Sequence, residues 1–256
     1  MIIKLSVTLS LVLAAGLSHA QTLNGMWNTV KTNSTAIITT ATNVATGTKS
    51  TTPSLTNDEV IKGLKEALTV GTNNSASSAS KADGYLKNAK LFIPWPAEAQ
   101  QMKTKLVQLG YQKKVTEFET SLNRAAEEAA KKASPVFVNA ITGMSIGDGF
   151  AILQGSDSAA TQYLRQKTFA PLKEQFMPIV KEAIAKVKVT SYWSPLVTIY
   201  NKIPGVTKQN PDLNDYVCNK AINGLMTLIK EEEAKIRKDP LARVSDILKK
   251  VFGAKK

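Results

Sequence analysis

From Leu55 to Phe252 the apolar residues recur at steps of three and four, and no stretch of comparable length alternates with a period of two. A chain patterned this way hides its apolar faces by packing helix on helix, because a strand would turn every second residue of such a stripe to water. The first helix is marked by Thr56-Asn57-Asp58-Glu59, which reads as a capping box. Leu55 and Val60 are placed there as a hydrophobic staple, and Val60, Leu64, Ala67 and Leu68 follow at helical spacing. Val115, Phe118, Leu122, Ala125 and Ala129 predict an amphipathic helix from about Gln112 to Lys132, whose alanines admit a close neighbour. Ser134-Pro135, Ser194-Pro195 and Asp239-Pro240 each set a capping side chain before a proline, and so predict three helix starts. Gly110 and Gly155 are expected stops, and Pro178 is expected to kink or divide the helix between Thr168 and Lys188. Only Leu91-Phe92-Ile93 looks extended, and Pro94-Trp95-Pro96 ends it. The longest helix is predicted from about Asp212 to Lys238. The expected fold is therefore all-α, one bundle-like domain over 55–253 with a kinked central helix and a long C-terminal helix.

The first twenty residues read differently. Lys4 precedes an apolar run from Leu5 to Leu17, and Ser18-His19-Ala20 offers small residues at a peptidase site, so a secretion signal cleaved after Ala20 is expected. No later segment is apolar for long enough to cross a membrane, which predicts a periplasmic or secreted chain with no integral span after cleavage. The stretch 21–54 is rich in threonine and serine and nearly free of charge, which suits a flexible tether, with Ala36-Ile37-Ile38 as its one candidate for local strand pairing. Residues 254–256 form a basic tail.

Cleavage would remove His19, the one histidine of the chain, and with it every catalytic or metal-binding design built on imidazole. The lone Cys218 cannot form an internal disulfide and is read as a buried, inert thiol. No cofactor and no metal site is expected. Asp148 and Asp157 do not have the spacing of a twelve-residue calcium loop. The chain carries 33 basic against 20 acidic residues, a net +13 that becomes +12 when Lys4 leaves, and this favours acidic partners. The basic residues are nevertheless scattered, with one concentration at Lys249, Lys250, Lys255 and Lys256 around Val251 and Phe252.

The polar residues singled out are Asn123, Arg124, Glu127, Arg165, Glu232, Arg237 and Arg243, a cluster that either binds a ligand or holds helices together. The stripe Leu213, Val217, Ala221, Leu225, Leu228 and Ile236 places Glu232 on the buried side, where it needs a partner such as Arg124, Arg165 or Arg243. Glu231 with Lys235, and Glu233 with Arg237, read instead as surface pairs. Glu127 and Glu232 on adjacent helices are the one candidate acid–base pair, of the kind a glycan hydrolase requires. Trp95, Tyr192 and Trp193 are placed in connections, as ring anchors or ligand contacts.

Several blocks together resemble the bacterial family of domain of unknown function 4197. They are Asn57-Asp58-Glu59 with Gly63-Leu64-Lys65-Glu66-Ala67-Leu68; Leu122-Asn123-Arg124-Ala125-Ala126-Glu127; Ile152-Leu153-Gln154-Gly155 with Ala159-Ala160-Thr161 and Tyr163; and Pro178-Ile179-Val180. The last runs from Tyr216-Val217 through Glu231-Glu232 to Ile236-Arg237-Lys238-Asp239-Pro240, with Arg243 and Val251-Phe252. The resemblance spans roughly Leu55 to Gly253 and implies an exported, largely helical domain with no transferable activity. The functional expectation is a non-enzymatic binding or interaction protein of the cell envelope. Its candidate partners are an envelope lipid, an anionic polymer or another protein, with nucleic acid disfavoured. A carboxylate-dependent hydrolase of envelope glycans and a polyanion binder are the alternatives.

Overall fold

The computed structural model describes residues 54–209 and 212–253. The expected signal at 1–20 with His19, the threonine-rich tract to residue 53 with its Ala36-Ile37-Ile38 pairing, and the tail 254–256 with Lys255 and Lys256 lie outside the described residues. Among those described, nine α-helices and two short 3-10 turns account for the regular structure, and there is no strand. The helices are α1 (Asn57–Ala79), α2 (Gln100–Gln108), α3 (Gln112–Ala130), α4 (Ala133–Gly143), α5 (Gly149–Leu153), α6 (Ala159–Lys186), α7 (Val189–Asn201), α8 (Leu213–Lys238) and α9 (Asp246–Gly253).

Helix α1 starts as its sequence demands. Thr56 accepts from the Glu59 backbone N–H, and the Glu59 carboxylate reaches back to the Thr56 N–H at 3.1 Å, so two orphan donors are satisfied reciprocally. Its buried face alternates Val60, Leu64 and Leu68 with Gly63, Ala67, Gly71, Thr72, Ser75 and Ala76. These small residues let α8 and α9 lie almost on the α1 backbone: a Cβ added at Gly71 would stand 3.3 Å from the Glu232 Cβ, and one at Gly63 would meet the Val251 Cγ2 at 2.6 Å. α8 is capped by Asp212, whose carboxylate accepts from the Asn214 and Asp215 N–H groups. It packs against α1 and α6 along its length.

Helix α3 is more central than a single amphipathic stripe predicts. Between Ser121 and Ala130 only Arg124 and Glu128 escape full burial, because α6, α7 and α8 close around this half. Phe118 stacks on Trp193 with centroids 4.7 Å apart and meets Trp95 edge-on at 4.8 Å. Full burial of such side chains contributes about 1.5–3 kcal/mol each. Trp95 does lie in a connection. Tyr192 and Trp193 do not: they lie inside α7, with Trp193 in the core and Tyr192 exposed.

The prolines account for most of the departures from expectation. Asp239-Pro240 does begin a turn, a 3-10 turn over Pro240–Ala242 in which Asp239 accepts from the Leu241 N–H. Ser134 and Pro135 lie one and two residues inside α4, which begins at Ala133, and Pro195 lies in the middle of α7, so neither serine is a cap. Pro178 does not divide its helix either, since α6 continues through both Pro171 and Pro178 and, at 28 residues, exceeds the 26 of α8. The physical reason is common to all three internal prolines. Each is exposed, and the carbonyl it leaves without an N–H partner, on Lys167, Glu174 or Ser191, belongs to an exposed residue that water can reach. The chain breaks at Lys188, the expected end of this helix, where a left-handed backbone (φ 56°) separates α6 from α7. Gly110 ends α2 in the left-handed region at φ 85°, and the Gly155 N–H closes α5 on the Ile152 carbonyl.

Candidate functional site

Three of the polar residues occupy one side of α3 and clamp the connection between α1 and α2. Asn123 makes a two-point contact with Ile93, its Oδ1 accepting from the backbone N–H at 2.8 Å and its Nδ2 donating to the carbonyl at 3.0 Å. The stretch that looked extended in sequence thus pairs with an amide side chain, as a strand pairs with a neighbour. One turn later the Glu127 carboxylate accepts from the Tyr85 and Leu86 N–H groups, both at 3.1 Å, and from Arg124 at 2.6 Å. Arg124 also holds Asp83, at 2.7 Å, in a left-handed turn. Tyr85 is fully buried, donates to the Ala221 carbonyl, and has its phenol pushed far above the usual range by burial and then by the Glu127 charge.

Both Glu127 oxygens are therefore committed, although the residue borders a groove whose other charged groups, Arg124, Glu128, Lys131 and Lys186, are likewise paired. Glu232 sits on α8 about three turns beyond Ala221. It is bound by Asn74 of α1 at 2.6 Å and is 4.0 Å from Lys235. None of Arg124, Arg165 and Arg243 is bonded to it: Arg165 donates to Asn223 and covers the Phe169 ring. An acid–base pair must face one substrate, and these two carboxylates are spent on separate joints.

The buried carboxylate of α8 is Glu233 rather than Glu232. At Leu225 the apolar stripe forks, and the turn of the helix follows Ile229, Glu233 and Ile236 inward, not Leu228 and Glu232. Glu233 and Arg237 pair as their four-residue spacing predicts, but inside the protein: their side chains are 1% and 8% exposed. The Glu233 carboxylate accepts from the Ala160 N–H at 3.0 Å, the Thr161 N–H at 2.7 Å and the Thr161 hydroxyl at 2.6 Å, all in the first turn of α6. The Arg237 guanidinium donates to the Ile152 and Leu153 carbonyls at the last turn of α5. An anion thus sits at a helix start and a cation at a helix end, each where the aligned peptide dipoles favour it. Arg243 serves a third terminus, donating to the Ile236 and Arg237 carbonyls that close α8. Glu231 pairs with Lys90 at 2.6 Å, not with Lys235.

Beside this junction opens a cleft of about 320 Å³. Leu55, Phe150, Leu153, Val251 and Phe252 form its apolar walls, with Gln154, Gly155, Asp157, Arg237 and Lys238 along its edge. Arg237 lies beneath the Phe252 ring, 5.6 Å from the centroid, and Lys238 pairs with Asp157. The local charges cancel, so the cleft selects for an apolar group with a polar end, at the smaller end of the ligand-site range. Of its lining only Phe150 goes unnamed in the sequence; Leu55 is read there as a staple, Gly155 as a stop and Asp157 as an unsuited calcium ligand, and nothing local brings these residues into one cleft. Phe150 was missed because a five-residue helix is too short to show a period.

The remaining candidates have structural duties. Asp148 caps α5 through the Ala151 N–H. Lys250 pairs with Glu59 at 2.5 Å and Lys249 approaches Asp246 at 3.5 Å. Cys218 is buried, and burial pushes its thiol up to about 11. Among the described residues no group of His, Cys, Asp and Glu is placed to hold a metal ion, and no helix is long and apolar enough to cross a membrane.

Comparison with known proteins gives one match. A family model described as a protein of unknown function (DUF4197) covers residues 54–253. No curated protein and no solved structure matches the chain.

Proposed function

The chain belongs to the DUF4197 family, and from that premise we propose that it is a non-enzymatic, exported binding protein of the cell envelope that takes an apolar ligand, a lipid chain above all, in the cleft between α5, α8 and α9. The observation that carries this reading is the cleft itself: five apolar walls meet at a junction whose polar groups are already paired. An enzyme of two carboxylates would leave acidic oxygens free toward its substrate, whereas Glu127, Glu232 and Glu233 each hold protein partners. A preformed apolar cavity of this size binds by exclusion of water and by fit.

The test is direct. Protein purified without detergent is extracted with organic solvent, and the extract is weighed by mass spectrometry beside that of Leu153→Trp, which fills the cleft from its own wall. A near-stoichiometric amphiphile in the parent, absent from a folded Leu153→Trp, is the expected result. A parent that yields nothing and fails to take up an apolar fluorescent probe refutes the proposal. Export is checked separately: N-terminal sequencing of the protein recovered from its producing cells should begin at Gln21, and an intact Met1 refutes that part.

A further inference from the structure

The cleft between α5, α8 and α9 is balanced in charge, and the balance restricts the head of a ligand as its walls restrict the chain. Two cations belong to the lining, and both are neutralised by this protein. The Arg237 guanidinium is spent on Glu233 and on the Ile152 and Leu153 carbonyls, and both members of that ion pair are buried. Lys238 at the edge pairs with Asp157. The two lysines of α9 that precede Val251, Lys249 and Lys250, pair with Asp246 and Glu59. A charged headgroup therefore finds no counter-ion waiting. A carboxylate or phosphate would have to draw Arg237 from Glu233, stranding an acid that is 1% exposed, or Lys238 from Asp157. An ammonium would have to take the carboxylates from the same cations.

One polar side chain of the lining is uncommitted. Gln154 is the residue that closes α5; it is exposed, and its amide holds no hydrogen bond among the described residues. An amide is neutral and both donates and accepts, so it can satisfy a hydroxyl or an ester carbonyl without disturbing the ion pairs. The neighbouring Ile152 and Leu153 carbonyls are already taken by Arg237, which leaves Gln154 as the polar contact on offer. The space bounded by Leu55, Phe150, Leu153, Val251 and Phe252 is about 320 Å³, which suits one chain rather than two.

We infer that the ligand is an uncharged, single-chain amphiphile with a hydroxyl-bearing head, the chemistry shared by fatty alcohols and monoacylglycerols. Its chain lies against the five apolar walls and its head is held by the Gln154 amide. This rests on the cleft being a lipid site, as proposed above, and adds the class of head to the chain.

Displacement of an apolar fluorescent probe from the purified chain tests it. The competitors share one chain length: decanol, monodecanoylglycerol, decanoate and decylammonium, at neutral pH. In the parent, the two uncharged compounds should displace the probe at concentrations about tenfold or more below both ions, and the two ions should differ little from each other. An alcohol leaves water more readily than its charged analogues for any apolar site, so variants at Gln154 supply the control. Gln154→Leu should keep its probe uptake and weaken monodecanoylglycerol by about threefold to tenfold, the worth of one hydrogen bond. Gln154→Lys adds an unpaired cation, and should improve decanoate about threefold or more while weakening decylammonium. Because the Gln154 side chain is exposed and unbonded, the melts of both variants should match the parent. A parent that binds either ion as tightly as decanol overturns the inference and leaves the apolar site standing. So does a Gln154→Leu variant that holds monodecanoylglycerol as the parent does, or a Gln154→Lys variant with its order of ligands unchanged. A parent that takes up no probe, or a Leu153→Trp variant that takes up as much as the parent, overturns the lipid site itself and this inference with it.

Discussion

Replacing Glu233 by alanine should be among the costliest single changes in this domain, and its size can be worked from the contacts. Glu233→Ala strands the Arg237 guanidinium, 8% exposed, against two carbonyls with no counter-charge, and removes the acceptor of the Ala160 and Thr161 N–H groups. Breaking a buried pair costs about 3–5 kcal/mol. Each stranded donor adds about 1–3 kcal/mol where water cannot reach it. These contributions overlap, because the space left by the side chain admits some water, so a total near 4 kcal/mol is expected. For a domain of this size that is a fall in Tm of roughly 8–16 °C. The control is Glu232→Ala one residue earlier, whose carboxylate is partly exposed and bonded to Asn74 at 2.6 Å. It should cost no more than about 1 kcal/mol. Urea unfolding followed by circular dichroism gives both midpoints, and an unchanged slope assigns the shift to stability. Equal costs for the two variants, or less than about 1 kcal/mol for Glu233→Ala, would refute the account of the α5–α6 junction.

Gly63→Ala should destabilise by about 1–3 kcal/mol despite the better helix propensity of alanine, because the new methyl would meet the Val251 Cβ at 2.8 Å as well as its Cγ2, so that rotating the valine gives no relief. Val251→Ala in the same chain should restore part of the loss, and strict additivity in the double-mutant cycle would count against a direct clash. Glu59, Asp83 and Glu128 have pKa values below the ordinary carboxylate range, held there chiefly by Lys250, Lys87 and Lys131 respectively. Their stabilisation is complete above roughly pH 5 and disappears as the pH falls through the lowered folded-state values. Melting temperatures should thus decline in acid, and more gently when Lys131 and Lys186 are both replaced by methionine; identical acid slopes would refute the pairing of Glu128 with these lysines. With its pKa raised to about 11 by burial, the Cys218 thiol should react with an aromatic disulfide at pH 8 only as fast as the domain opens, and at the rate of a free thiol once urea is added. Full-rate labelling of the native protein would place the thiol at the surface.

What could be read from the sequence was local. The capping box at Thr56, the Asp239-Pro240 turn and the left-handed stop at Gly110 each depend on neighbours within a few positions, and their residue types state the geometry. The α3 stripe was equally plain, since five apolar residues at helical spacing leave one face to bury. Glu232 and Glu233 were exchanged because Leu228 and Ile229 offer the stripe two continuations, and only the position of α6 decides between them. Ser194-Pro195 reads as a start whenever the carbonyl behind the proline is assumed to be buried, and nothing local says that Ser191 faces water. The joints made by Asn123, Glu127 and Arg237 were hidden for a related reason. Their partners are backbone groups of Ile93, Tyr85 and Leu153, and any residue type at those positions has an N–H and a carbonyl to offer.

The side chains that complete the corner between α5 and α6 arrive late in synthesis. Ala160 waits for a carboxylate 73 positions downstream, and Leu153 for a guanidinium 84 positions downstream. A nascent fragment that stops before α8 has its earlier helices patterned but two of their ends bare. Those two ends are closed only when α8 has been added, so the corner between α5 and α6 is expected to stay open to water in any such fragment.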